Sequence, residues 1–227
     1  MGRWTAERWA ASSGIAFAII LVGSQFLAGT PPHYNASSER IVGFLNDHHR
    51  ALVVQSILGG VLIVLFLWFL ASFAGMYREA GQNRLATIMY GSGVAIVVLA
   101  GVGDAVSLAV TQLRGTIDPS TVQAFYGVCV FFYLKLMWPA AALAIACTLA
   151  THRSHALPDW YRVLTLCGSV VFVLGGLSIR MHGFFSPAGA MGWIAMLTFA
   201  GWVLVSSWLC VQKHAVAHAV PHAALSH

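Results

Sequence analysis

Apolar stretches of about twenty residues recur from one end of this chain to the other, and only short connections separate them. A helix rises about 1.5 Å per residue, so roughly 20 residues cross the ~30 Å hydrocarbon core of a bilayer. Runs at about 10–28, 52–76, 86–113, 122–150, 161–179 and 190–211 reach that length or come close to it. None alternates polar and apolar residues with the period of two that a barrel strand requires, and in lipid only helices and closed barrels satisfy their own backbone. The expected fold is therefore all-α, a six-helix transmembrane bundle. The spans leave no room for a separate soluble domain, so 1–213 is expected to form a single membrane domain and 214–227 a His-containing cytoplasmic tail.

Composition agrees with lipid as the solvent. Charged residues make up 8% of the 227 and hydrophobic residues 59%, whereas ordinary soluble domains are about a quarter charged. The formal charge of +5 is spread over the ends of the spans without any Lys/Arg run, which sets nucleic acid aside as a partner. Cys129, Cys147, Cys167 and Cys210 all fall inside apolar runs and form no CxxC pair, so they read as small buried thiols. The first run is long and lacks a small-x-small cleavage site at its end, so it is expected to stay as a span. With the N-terminus inside, Arg3, Arg8, Arg78, Arg84, Arg153, Arg162 and Lys213 face the cytoplasm, while Arg40, Arg50, Arg114 and Arg180 lie outside. That excess places both termini in the cytoplasm. Trp4, Trp9, Trp160, Tyr161 and Trp208 lie near span ends as interfacial anchors.

The longest connection, TPPHYNASSERIVGFLNDHHR, follows the first span. Ser37 and Ser38 can cap a helix with Glu39 in its first turn, and Ile41, Phe44 and Leu45 recur on one face. A short amphipathic helix is expected there, in the first outer loop. His48 and His49 close that segment, and with His33, Asp47 and His182 they carry donors that suit several metals. Nothing in their spacing gathers them, so no metal site is assigned. In the tail, His214, His218 and His222 are four apart, but Pro221 interrupts the helix that would align them, so the tail is expected to be solvated.

The sharpest feature is ionisable residues inside the spans. Lys135 lies in VCVFFYLKLMWPAA, on the order of 15 Å down the fourth span, and Asp104 lies on the order of 10 Å from the same surface in the third. A lone charge at that depth costs at least about 2.5–3.5 kcal/mol on insertion scales. Consecutive antiparallel helices are expected to be neighbours, so an Asp104–Lys135 ion pair is expected. Pro139 lacks the N–H that would bond the Lys135 carbonyl, which opens a kink and an acceptor on the residue that carries the cation. Arg180 and His182 belong to the same outer half and complete the candidate substrate or ion-pair site. Gly101 and Gly103 allow close helix approach beside it.

The segment SSERIVGFLNDHHRALV, leading into a span that ends FLASFAGMYREA, resembles small six-span bacterial integral membrane proteins of unknown function. That resemblance implies a multi-pass protein of the bacterial inner membrane and no particular activity. No HExxH, GxSxG or paired-carboxylate constellation occurs inside the spans, so no catalytic residue and no cofactor are assigned. The chain reads as a polytopic membrane protein with a binding or accessory role, its partners being the lipid bilayer and a small molecule or protein. The alternative is a small transporter or proton-linked carrier for a small anionic solute.

Overall fold

A computed structural model describes residues 3–33, 35–179, 183–186 and 189–216, with side chains over 9–213 of these. The described residues are helical with no strand: α1 (Arg3–Ser24), α2 (Ser38–Asp47), α3 (His49–Glu79), α4 (Asn83–Leu113), α5 (Pro119–Lys135), α6 (Met137–Ser154), α7 (Asp159–Gly176) and α8 (Ala190–Val216). The all-α expectation holds. Four helical rods are long and apolar enough to cross a membrane: α3, α4, the 36-residue rod Pro119–Ser154 formed by α5 and α6, and Ala190–Lys213 of α8. The other two expected spans are helical but shorter or more polar. The apolar part of α1 is Trp9–Ser24, and α7 has 18 residues with Asp159 in its first turn. Both stop earlier than expected, at Ser24 in place of residue 28 and at Gly176 in place of residue 179. Helix α8 continues to Val216, past the expected domain edge at 213, and the tail histidines beyond it lie outside the described residues.

Each rod packs on the next around a closed circuit of α1, α3, α4, α5–α6, α7 and α8, which returns to α1. The Ser207 hydroxyl donates to the Ala11 carbonyl and the Phe199 ring meets Phe17, so α1 and α8 run antiparallel. The start of α1 and the end of α8 therefore share one end of the bundle, here termed proximal; α2 lies at the other, distal end. Between α3 and α4 the chain reverses within three residues, and Gly81 supplies the positive φ of 78° that this turn needs.

Lipid tails are as apolar as leucine, so close packing replaces the hydrophobic effect in holding such helices together. Here packing centres on α3. Phe66, Phe69, Phe73 and Tyr77 recur at three and four residues and are all but fully buried. They meet Phe17 of α1 and Phe199 and Trp202 of α8. Small residues let the rods approach: a Cβ at Gly93 would lie 2.2 Å from Leu70 Cδ2, and one at Gly14 would lie 2.7 Å from Phe69 Cδ2.

The distal half is built differently. Helix α5 ends at Lys135 and α6 begins at Met137, with Leu136 between them keeping helical dihedrals of φ −58° and ψ −27°. The break is thus a single residue within one rod, three residues before Pro139, whose missing N–H leaves the Lys135 carbonyl without its usual donor. Helix α2 is capped by the Ser37 side chain, which accepts from the Arg40 amide. Its Ile41 and Leu45 are buried with Val110 of α4 and Val122 of α5, while Glu39, Arg40, Asn46 and Asp47 are exposed. Asp118 caps α5 by accepting from the Ser120 amide at 3.0 Å, and hydrogen bonds from the Ser120 side chain and backbone hold its carboxyl below the usual aspartate value. A backbone amide, then Ser37 and Ser38, do the same for Glu39.

Because Gly93 is in contact with Leu70 and Gly91 has nothing within 4 Å of a built Cβ, the two glycines should respond oppositely. Gly93→Ala is expected to lower thermal stability in detergent micelles, with an overpacking cost of about 1–3 kcal/mol. Gly91→Ala should leave it unchanged or slightly raised, because alanine is the better helix former. Circular-dichroism melting of the two variants checks the packing of α3 on α4.

Candidate functional site

Asp104 stands on α4, where Val98, Val102, Ala105 and Ala109 form the exposed outer face. At about 100° per residue, Asp104 is turned well away from that face and toward α3. Its carboxylate accepts a hydrogen bond from the Ser56 hydroxyl at 2.8 Å. Gly59, one turn along α3, leaves room for it: a Cβ there would come within 3.1 Å of Asp104 Oδ2. The adjacent Gly103 faces α5, where a Cβ would lie 3.1 Å from Phe132 Cβ and 3.8 Å from the Tyr133 ring. Cys129 and Tyr133 lie within electrostatic reach of the carboxylate. Asp104 is half-buried and Tyr133 exposed, so this polar spot between α3, α4 and α5 is open.

Lys135 points elsewhere. On α5, Ala124, Val128, Phe131 and Lys135 are all exposed, and their spacing of four, three and four makes one outward stripe. Cys129, Phe132 and Tyr133 occupy the side turned to α4. The expected ion pair is not formed: among the described side chains the one ion pair is Arg162–Asp159, at 3.9 Å on the surface. Depth was not the obstacle, since the Gly103–Phe132 contact puts both residues within about a turn of the same level. The separation is angular, and counting residues down a span measures only depth. Arg180 and His182 lie outside the described residues; of the four candidate residues, Asp104 and Lys135 are described and are not brought together.

The histidines between α1 and α3 divide between two places. Asn46, Asp47, His48, His49, Arg50 and Arg114 line a cleft of about 430 Å³ at the distal end. Arg114 Nε donates to Asn46 Oδ1 at 2.7 Å. His48 bonds the Phe44 carbonyl at 3.1 Å and stacks on the Phe44 ring. His33 pairs with Asn35 at 2.5 Å and Ser186 at 3.3 Å. Among the described residues no three His, Cys, Asp or Glu side chains are placed to hold a metal ion.

Sequence reasoning missed a polar cluster in the proximal half. The Tyr77 hydroxyl of α3 shares hydrogen bonds with Thr151 (2.5 Å) and Cys147 (3.4 Å) of α6. The Cys147 thiol also meets the Tyr161 hydroxyl of α7 at 3.6 Å, and Tyr161 in turn bonds Ser206 of α8 at 2.5 Å. Trp202 Nε1 donates to Thr165 at 3.3 Å, while the Ser206 hydroxyl also bonds the Trp202 carbonyl at 2.6 Å. Tyr161, read above as an interfacial anchor, is fully buried, whereas its neighbour Trp160 is exposed. The thiols of Cys129, Cys147 and Cys210 are buried as expected, but Cys167 is exposed. No spacing in the sequence signals this cluster, because its members come from four helices and each is ordinary in an apolar helix. It ties α3, α6, α7 and α8 together without exposing any reactive group.

No family model matches the chain, and no match was found among curated proteins or solved structures.

Since Asp104 and Lys135 sit in separate surroundings, their replacements should act independently. In a cycle of Asp104→Asn, Lys135→Met and the double variant, the changes in unfolding free energy should add to within about 0.5 kcal/mol. A coupling clearly larger than that, measured by denaturant unfolding in mixed micelles, would show that the two charges meet.

Proposed function

We propose that this is an integral membrane protein that crosses the bilayer six times, α1 and α7 completing the four longer crossings, and that it serves a binding or accessory role. The observation that carries this reading is the contrast between the two halves of the bundle. In the proximal half the aromatic column Phe66, Phe69, Phe73 and Tyr77 and the Tyr77–Cys147–Tyr161–Ser206 cluster fill the interior. In the distal half, Asp104 holds a carboxylate half-open to its surroundings with Ser56 as its donor. A filled half suits a scaffold that holds something at its other end better than a conduit. The Lys/Arg excess at the proximal end supports a cytoplasmic location for both termini, and a bacterial inner membrane is the setting the sequence resemblance implies.

The carrier reading draws on the same carboxylate. An ionisable group within a membrane span is a common element of proton relays, and Asp104 is the acidic residue that lies well inside one. The two readings part on flux, because a carrier must move its solute past the filled proximal half.

Two measurements on the full chain test the proposal. All four native cysteines lie within helical rods, so cysteines introduced at Thr116 and Gln82 report on the loops. A membrane-impermeant maleimide should label Thr116→Cys in intact cells and Gln82→Cys only after permeabilisation. Equal labelling of both would overturn the topology. In sealed vesicles containing a pH-sensitive dye, an imposed gradient should decay no faster with the protein than without it. Decay that depends on the protein and is abolished by Asp104→Asn would replace the binding role with the carrier.

A further inference from the structure

The cleft at the distal end gathers charge from three helices, and the balance is positive. Arg50 at the start of α3 and Arg114, the C-cap of α4, line it together with Asp47 at the end of α2. Asp47 neutralises neither guanidinium, because the one ion pair among the described side chains is Arg162–Asp159. Two cations therefore face a volume of about 430 Å³, within the roughly 300–1,000 Å³ of small-molecule sites.

Arg114 is fixed in place by the protein itself. Its Nε donates to Asn46 Oδ1 at 2.7 Å and its Nη1 donates to the Thr111 carbonyl, which holds the guanidinium between α2 and α4 and leaves its remaining N–H donors free. Arg50 is exposed and has no hydrogen-bond or ion-pair partner among the described residues. The start of α3 adds to the positive field. His48 gives that helix no side-chain cap, and the first-turn residues His49, Arg50 and Ala51 line the cleft, where amides have no partner within their own helix and the macrodipole is positive. The His49 ring brings an unmet hydrogen bond to the same wall, its Nδ1 being buried without a partner. The carbonyl ends of α2 and α4 are met within the protein, by the His48 amide on Phe44 and by Arg114 on Thr111.

Such a set of donors recognises an oxyanion. A guanidinium fork matches two oxygens at once, so one arginine already saturates a carboxylate. A phosphate group offers three acceptor oxygens, enough to engage two guanidiniums and the start of a helix together. We infer that the cleft between α2, α3 and α4 binds a phosphate group, held by Arg50 and Arg114 beside the first turn of α3. This names a ligand for the binding role proposed above, and it rests on the membrane reading only for the source of the phosphate: a lipid headgroup at the bilayer surface or a free phosphate in the surrounding medium.

The test uses the full chain in uncharged maltoside micelles and two probes, inorganic phosphate and phosphatidic acid, with binding followed by calorimetry. At least one should bind. Binding of phosphatidic acid alone assigns the lipid headgroup, and binding of inorganic phosphate assigns the free source. Arg50→Gln should weaken the binding about ten-fold, the effect of losing one charge-assisted contact, while its circular dichroism matches that of the parent chain. Arg40→Gln, which removes an exposed arginine of α2 outside the cleft, should leave it unchanged. Binding of neither probe would overturn the inference, and so would an unchanged affinity in Arg50→Gln. Equal losses from the two variants would also overturn it, by marking a general attraction of anions to a basic surface. Flotation with phosphatidylcholine vesicles keeps the two readings apart: a chain that binds inorganic phosphate through Arg50 but fails to float would overturn the membrane reading and uphold the cleft.

Discussion

Helices that share a lipid solvent gain little from hiding apolar surface in one another, so they cohere only where they approach closely and satisfy their polar groups internally. In this bundle both conditions are met along α3. Its Phe66–Tyr77 face fills the proximal interior, and Gly93 and Gly14 let α4 and α1 close on Leu70 and Phe69. At its proximal end the Tyr77 hydroxyl begins the chain of contacts that reaches α6, α7 and α8. Interhelical hydrogen bonds in membranes average about 0.6 kcal/mol and reach about 1.7. The bonds Tyr77–Thr151, Tyr161–Ser206 and Trp202–Thr165 therefore add roughly 2–5 kcal/mol together, comparable to truncating one large core side chain. Packing sets the arrangement and the hydroxyl cluster closes it.

The distal half departs from this solid construction because the sequence there interrupts its own helix. Pro139 withdraws one N–H, the helical hydrogen bonding is interrupted at Leu136, and α5 packs on α4 and α2 with much of its surface exposed. Helix α2 covers part of that surface by burying Ile41 and Leu45 against α4 and α5. The two charges carried within apolar rods, Asp104 and Lys135, fall in this half, one turned inward to α3 and the other exposed.

Much of the architecture was legible in the chain itself. Run lengths and missing period-two alternation pointed to helices, Ser37 and Glu39 marked the start of α2, and Pro139 marked the break between α5 and α6. These are local signals, written within one helical turn of the feature they cause. The pairing of Asp104 with Lys135 was not legible, because it depended on two rotations about two helix axes. Residue counting placed both within about a turn of the same level but was silent on direction, and Ser56, 48 residues from Asp104 in sequence, became the partner instead. The Tyr77–Cys147–Tyr161–Ser206 cluster was hidden for the same reason, since no single helix contains more than a fragment of it.

By itself the sequence determined that the chain is helical, where its apolar rods lie, which of them is broken and which ionisable groups fall inside apolar runs, because backbone hydrogen bonding and the period of a helix act over a few residues. Only the tertiary structure decided which face of each rod meets which neighbour. That choice set Asp104 against α3, turned Lys135 outward and buried Tyr161, because azimuth follows from fitting side chains between several helices at once.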